Sequence, residues 1–373
     1  MIFEVGAGGG KNHFLKTDNN ITKGKENKMD KKILFEMLET PSVSGNEFSL
    51  QRKIKSHMEN YADEIMTDLV GNLVSVINPE SEVKVLLAAH ADEIGLMITR
   101  ILDDGRCLVE EVGSITAGVY IGQKVQVITK KGIVNGAIAK FRNSFNSTPK
   151  EDGLILDLGV FSKEEASKLV EVGDCIVHDS TYKMLNDKII CSRALDDKIG
   201  IYTINEALKL AKEMGTKNGV YAACTVGEET TKNGATLISK RINPTIAIAI
   251  DVTTDRSSLL EQGNSNNVVM GKGPDMTIGT IMNKKLEKLV RECALEANIP
   301  LQISTVVYRS YTDADAMYAA NLGIPTILLS IPLRYMHSPA EIVNLDDVEN
   351  TIKLLAQIIV KLNKNMDFNP LED

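Results

Sequence analysis

The chain has 373 residues, with 42 Lys and Arg against 50 Asp and Glu and a formal net charge of -8. It contains no cluster of Lys and Arg interleaved with aromatics and no apolar run of membrane-spanning length, which argues against nucleic acid and against a membrane as partners. The length suits two domains. Five cysteines (Cys107, Cys175, Cys191, Cys224, Cys293), odd in number and without a Cys-x-x-Cys pair, fit reduced thiols in a cytoplasmic protein.

Residues 1–28 combine Gly6-Ala-Gly-Gly-Gly10 with a polar run and are expected to be a disordered tail, with Met29 as an alternative start. The glycines lack the Lys-Ser/Thr of a phosphate loop. From Asp30, a good N-cap, Ile33, Leu34, Met37 and Leu38 follow helical spacing until Pro41 and Gly45 break it. A second helix follows, with Phe48, Leu50, Ile54, Met58 and Tyr61 expected on its buried side, and Gly71-Asn72 reads as the turn between two short strands. Val83 to Ala89 is an apolar run without helical spacing, the pattern of a strand covered on both faces, and it ends in His90-Ala-Asp92-Glu93. In a strand, residues two apart point the same way, so Asp92 can reach one ring nitrogen of His90 and leave the other for a metal.

Beyond Met97 the texture changes to short apolar runs broken by Asp104-Gly105, Lys131-Gly132 and Asn135-Gly136, the pattern of a small β-barrel or sandwich, with Ser162-Lys-Glu-Glu165 as a capping box opening one helix. His178 falls in this region and reads as structural. The chain returns to the first domain near Lys188, where Ala194-Leu-Asp196-Asp197 precedes a long helix. Apolar strands then end in Glu228-Glu229, in Asp251, in a loop with Asp313, and in Arg334-Tyr-Met-His337; a final helix is capped near Asp346. Strands alternate with helices, so an α/β sheet with parallel strands is expected.

Open α/β sheets bind ligands outside the carboxyl ends of their strands, and four such ends here carry His90/Asp92, Glu228/Glu229, Asp251 and His337. Two histidines with several carboxylates and no cysteine suit Zn, Co or Mn, and the number of donors suits two ions. Paired ions need a bridging carboxylate, for which Asp196 or Asp197 is available. Burying one unpaired carboxylate is costly, so the adjacent Glu228-Glu229 makes sense as one ligand and one base.

The motifs His90-Ala-Asp92-Glu93-Ile-Gly-Leu-Met97, Ala194-Leu-Asp196-Asp197-Lys-Ile-Gly200, Glu228-Glu229, Asp251-Val-Thr253, Gly271-Lys-Gly-Pro274, Thr312-Asp313-Ala314 and Arg334-Tyr-Met-His337-Ser-Pro occur in this order. From Asp30 to Leu362 the chain resembles the dinuclear metalloaminopeptidases that include tetrahedral (deblocking), glutamyl and lysyl aminopeptidases, some of which carry a cellulase or endoglucanase label. The resemblance implies a metallopeptidase-type three-layer α/β sheet domain, residues 29–97 and 184–366, with an inserted β-barrel-like dimerisation domain, residues 98–183. It implies His90, Asp196 and Asp251 at one divalent ion and Asp196, Glu229 and His337 at the other, with Asp92 orienting His90. The implied reaction releases N-terminal residues from short peptides through a dinuclear-metal-activated water, with Glu228 as general base, in a homo-oligomer from dimer up to dodecamer. Gly227, Thr230-Thr-Lys-Asn233, Thr254 and Asp315 depart from the family pattern near the substrate pocket. Two alternatives follow: a glycoside hydrolase built on paired carboxylates, and a peptide-binding relative with weakened catalysis.

Overall fold

The computed structural model describes residues 31–140, 153–257 and 267–372; the expected N-terminal tail and the Asp30 cap lie outside the described residues. Two helices, α1 (Lys31–Glu39) and α2 (Phe48–Met58), precede strands β1 (Glu64–Thr67), β2 (Leu73–Ile77) and β3 (Lys84–His90). Helix α1 buries Ile33, Leu34, Met37 and Leu38, and it stops before Pro41, whose ring disfavours helical backbone in the residue before it. Helix α2 buries Leu50, Ile54 and Met58, but Phe48 at its first position and Tyr61 beyond its end are exposed, contrary to the sequence expectation. The turn between β1 and β2 is held by the Asp68 carboxylate, which accepts the N–H groups of Val70, Gly71 and Asn72 at 2.9–3.1 Å. Gly71 sits there at φ +106°, a backbone region that favours glycine.

Strands β4 (Gly95–Ile101), β5 (Cys107–Val112), β6 (Lys124–Thr129), β7 (Gly132–Lys140), β8 (Leu154–Asp157) and β9 (Cys175–His178) close into a barrel in the order β4-β5-β8-β7-β6-β9. Its interior is filled by Leu96, Val109, Tyr120, Val125, Val127, Leu156 and Ile176, and closure leaves no open sheet edge. Helix α3 (Lys163–Leu169) starts at Ser162, whose hydroxyl accepts the Glu165 N–H at 3.3 Å as the capping box requires. Asn135-Gly136, read from sequence as a break, lies inside β7. A Cβ on Gly136 would fall 2.6 Å from Leu156, so the glycine marks a close strand contact and not a turn.

The chain then adds β10 (Lys183–Met184), β11 (Ile189–Ser192), α4 (Leu195–Glu213), β12 (Gly219–Thr225), α5 (Asn233–Ile242), β13 (Ile246–Thr254), β14 (Asp275–Gly279), α6 (Lys284–Glu296), β15 (Gln302–Val306), α7 (Asp313–Tyr318), β16 (Thr326–Arg334), β17 (Glu341–Asn344) and α8 (Leu345–Lys361). An eleven-stranded mixed sheet results, with the path β1-β2-β12-β3-β13-β16-β17-β11-β10 and β14 and β15 attached beside β16. The consecutive strands β12, β3, β13 and β16 are mutually parallel, so their carboxyl ends meet along one edge. Every residue of β12, and all of β3 after Lys84, is buried, which requires cover on both faces of the sheet. Helices α4 and α8 pack on each other, and α5 packs on α7. The final helix, expected to be capped near Asp346, has Asn344 as its cap: the Asn344 side chain accepts the Asp346 N–H at 2.9 Å.

Candidate metal centre

His90 is the last residue of β3 and lies in register with Thr225, the last of β12; Asp251 stands in β13 opposite Ser330 of β16. The loop after β12 carries Glu228 and Glu229, the loop after β16 carries His337, and Asp196 and Asp197 open α4 with non-helical backbone. Five of these side chains are buried: His90, Asp196, Asp197, Glu228 and Asp251.

Asp196 lies between the two histidines. Its Oδ1 is 3.1 Å from His90 Nε2 and its Oδ2 is 3.2 Å from His337 Nε2, so each oxygen faces one ring. Glu229 Oε1 stands 3.4 Å from the same His337 nitrogen. Donor atoms of His90, Asp197 and Asp251 lie within 4.8 Å of one another, as do those of His90, Asp196 and Glu229, two overlapping groups with the composition of a metal site. Asp92 sits behind them: Oδ1 accepts the Glu228 N–H at 3.0 Å and lies 3.4 Å from His90 Nδ1, Oδ2 accepts the Glu229 N–H at 3.1 Å, and the Ser44 hydroxyl donates to Oδ2. The nearest oxygen to His90 Nδ1 is the Asp92 backbone carbonyl, at 3.0 Å. One aspartate thus sets both the histidine ring and the loop with the two glutamates.

The electrostatics fit a cationic occupant. Burial first, then the charge of Asp251, pushes the Asp197 carboxyl well above the usual range, and burial with Asp196 and Glu228 does the same to Asp251. Burial and Asp196 also raise Glu229. Burial opposes the charge on His337, yet Asp196 and Glu229 drive its pKa up to about 11. Asp197 Oδ1 is buried without a hydrogen-bond partner. Crowded buried carboxylates of this kind are costly unless a positive charge stands among them, and the imidazole N and carboxylate O donors suit divalent Zn, Co or Mn.

The M42 glutamyl aminopeptidase family matches residues 71–354. The chain belongs to this family. The lysyl aminopeptidase of Pyrococcus furiosus is 33% identical over 355 residues, spanning 92% of this chain and 100% of that protein. Among solved structures, the Pyrococcus horikoshii TET1 peptidase, reported to assemble into a tetrahedron or a large octahedral shell, matches with a TM-score of 0.78 at 31% identity, covering 88% of this chain and 99% of that one. A Thermotoga maritima protein described as an endoglucanase matches with a TM-score of 0.71 at 29% identity, covering 88% of this chain and 96% of that one. The M42 chain is accordingly a hydrolase of the aminopeptidase class, and peptidases of the family are metal-dependent.

Several residues of the M42 site escape a sequence reading. Buried Glu341 accepts the His337 N–H with Oε1 at 2.9 Å and the Asp196 N–H with Oε2 at 3.1 Å, tying together the backbones that carry two candidate ligands. It also holds His337 at φ 60°, a left-handed conformation uncommon outside glycine. Ser114, from the barrel, accepts from His337 Nδ1 through its backbone carbonyl at 2.6 Å; a backbone acceptor has no signature in side-chain identity. Glu93 pairs with Arg193 and, at 2.8 Å, with Lys198, pinning the end of β3 to the start of α4; burial works against its charge, but the two cations pull the carboxyl down to about 2. Of the motif residues, Gly271 and Gly273 donate their N–H groups to Asp347 of α8, a structural tie, while Asp313 accepts from the Thr225 hydroxyl and is raised to about 7 by burial and then by Glu228.

The departures from the family pattern are mostly local ties. Gly227, at φ +69°, accepts the N–H groups of Thr231 and Lys232 with its carbonyl at 2.8–2.9 Å, and Asp315 accepts those of Ser310 and Tyr311 at 2.7–3.0 Å. Lys232 is the exception, because its ammonium stands 2.7 Å from Glu228 Oε1. Thr254 ends β13, and its place in the strand shows no contact that explains the change.

Proposed function

We propose that this M42 chain is an aminopeptidase with two divalent ions, in which His90, Asp196 and Asp251 hold one, Asp196, Glu229 and His337 hold the other, and Glu228 is the general base. The observation carrying the reading is the placement of Asp196, one oxygen toward each histidine at 3.1 and 3.2 Å, which is the geometry a bridging carboxylate needs. Bound ions would supply Lewis acidity toward the scissile carbonyl and the attacking water. Glu228 takes the proton of that water on its carboxylate and passes it to the leaving amine nitrogen. Asp92 fixes the Glu228 backbone through a 3.0 Å hydrogen bond, so the base approaches from one direction. In this reading Asp196, which faces both histidines, is the bridge, and Asp197, whose Oδ2 accepts the His90 backbone N–H at 3.2 Å, supports the ligand.

The test is a panel of aminoacyl chromogenic substrates assayed with Zn, Co and Mn before and after chelation, with a β-glucan alongside. Metal-dependent release from at least one aminoacyl substrate is expected. Glucan hydrolysis that survives chelation would favour the glycoside hydrolase reading instead. Two metals bound without turnover of any aminoacyl substrate would favour a peptide-binding relative.

The reading extends to assembly and setting. The barrel from Gly95 to His178 is proposed as a pairing domain, residues 98–183 in the sequence-based division, in a homo-oligomer from dimer to dodecamer that admits short peptides. A monomer alone at micromolar concentration in sedimentation, with metal present, would overturn this. Five free cysteines support a cytoplasmic setting, and no helix among the described residues is long and apolar enough to cross a membrane.

A further inference from the structure

We propose that the Gly113-Ser114 turn of the barrel is a working part of the metal centre: it fixes the ring of His337 and so sets how tightly the ion beside His337 is held. The inference rests on the two-ion reading above. The Ser114 carbonyl can only accept, so the 2.6 Å contact keeps a proton on His337 Nδ1, and when the ring gives up its other proton to a metal the lone pair is on Nε2. That same Nε2 faces Asp196 and Glu229 at 3.2 and 3.4 Å. His337 is the more exposed histidine of the pair, with a side chain 26% accessible against 3% for His90, and the Ser114 carbonyl holds the Nδ1 side of a ring whose Nε2 side faces the carboxylates. The turn is itself seated on the site. Gly113 adopts φ +87°, a backbone that favours glycine, and a Cβ there would lie 2.8 Å from Ile94, 3.3 Å from the Cβ of Glu229 and 3.4 Å from its Oε2, so a side chain at 113 must displace the turn or press on Glu229, both at the ion beside His337. A barrel that supplies none of the proposed ligands thereby orients one of them, and Ser114 acts as a positioning residue through its backbone. Hydrogen-bond partners of this kind typically change metal affinity by roughly 10- to 100-fold.

The experiment titrates metal-free full-length protein with chelator-buffered zinc and, in parallel, with cobalt(II) followed by its visible spectrum. Wild type should take up two equivalents. Gly113→Val should keep one at wild-type affinity and bind the second at least about tenfold more weakly, with unchanged sedimentation; Gly113→Ala carries the test if the valine does not fold. Gly132→Ala is the control, because Gly132 has a similar positive φ of +125° in the barrel with nothing within 4 Å of a built Cβ. It should leave both affinities unchanged. Two tight equivalents in the folded Gly113 variant, or equal weakening in the Gly132 variant, would overturn the proposal while leaving the two-ion reading intact. Fewer than two equivalents in wild type would overturn both.

Discussion

Glu228→Gln is expected to lower kcat by about 10²- to 10⁴-fold, the usual span for loss of a general acid-base group, while both metal equivalents stay bound and KM changes little. The amide keeps the size and one acceptor oxygen of the carboxylate but cannot take up a proton. The effect should fall on kcat because the proton moves only as the bond is made and broken, and binding the peptide does not require it. Asp92 holds the residue by its backbone N–H, so the substitution leaves the loop in place. Metal analysis and steady-state kinetics on a neutral aminoacyl substrate check this. A Gln variant with wild-type kcat would remove Glu228 from the mechanism, and one that loses metal would move it into the ligand set.

The contrast between what the sequence discloses and what it hides follows from the type of interaction. The strand ends were legible because burial on both faces writes itself as an unbroken apolar run, and the residues after such runs must gather at one sheet edge: His90, Glu228 and Asp251 were reached that way. The barrel was legible from its short runs, but Asn135-Gly136 misled, since glycine serves a close strand contact as readily as a turn. The ties around the candidate ligands were not legible. Glu341 works by accepting two backbone N–H groups from distant segments, and Ser114 works by a backbone carbonyl, so neither depends on a residue type that a motif would display. Asp196 and Asp197 are adjacent and of the same type, and spacing alone left either as the candidate bridge.

Their difference supplies the other large expected effect. Asp196→Ala should abolish retention of both ions, to less than one equivalent after dialysis, and bring peptidase activity down by several orders of magnitude, because its two oxygens are the groups shared between the histidines. Asp197→Asn should keep both ions and much of the activity. Its Oδ2 accepts the His90 backbone N–H at 3.2 Å, a contact that an amide oxygen can also make. It also removes a buried carboxyl that burial and Asp251 hold well above its usual pKa, so the metal-free Asn variant should unfold no more easily than wild type. Metal content by mass spectrometry, with activity measured on the same samples, separates the two aspartates. If Asp197→Asn loses both ions and Asp196→Ala keeps them, the bridge is Asp197, and the ligand set at both ions must be redrawn around it.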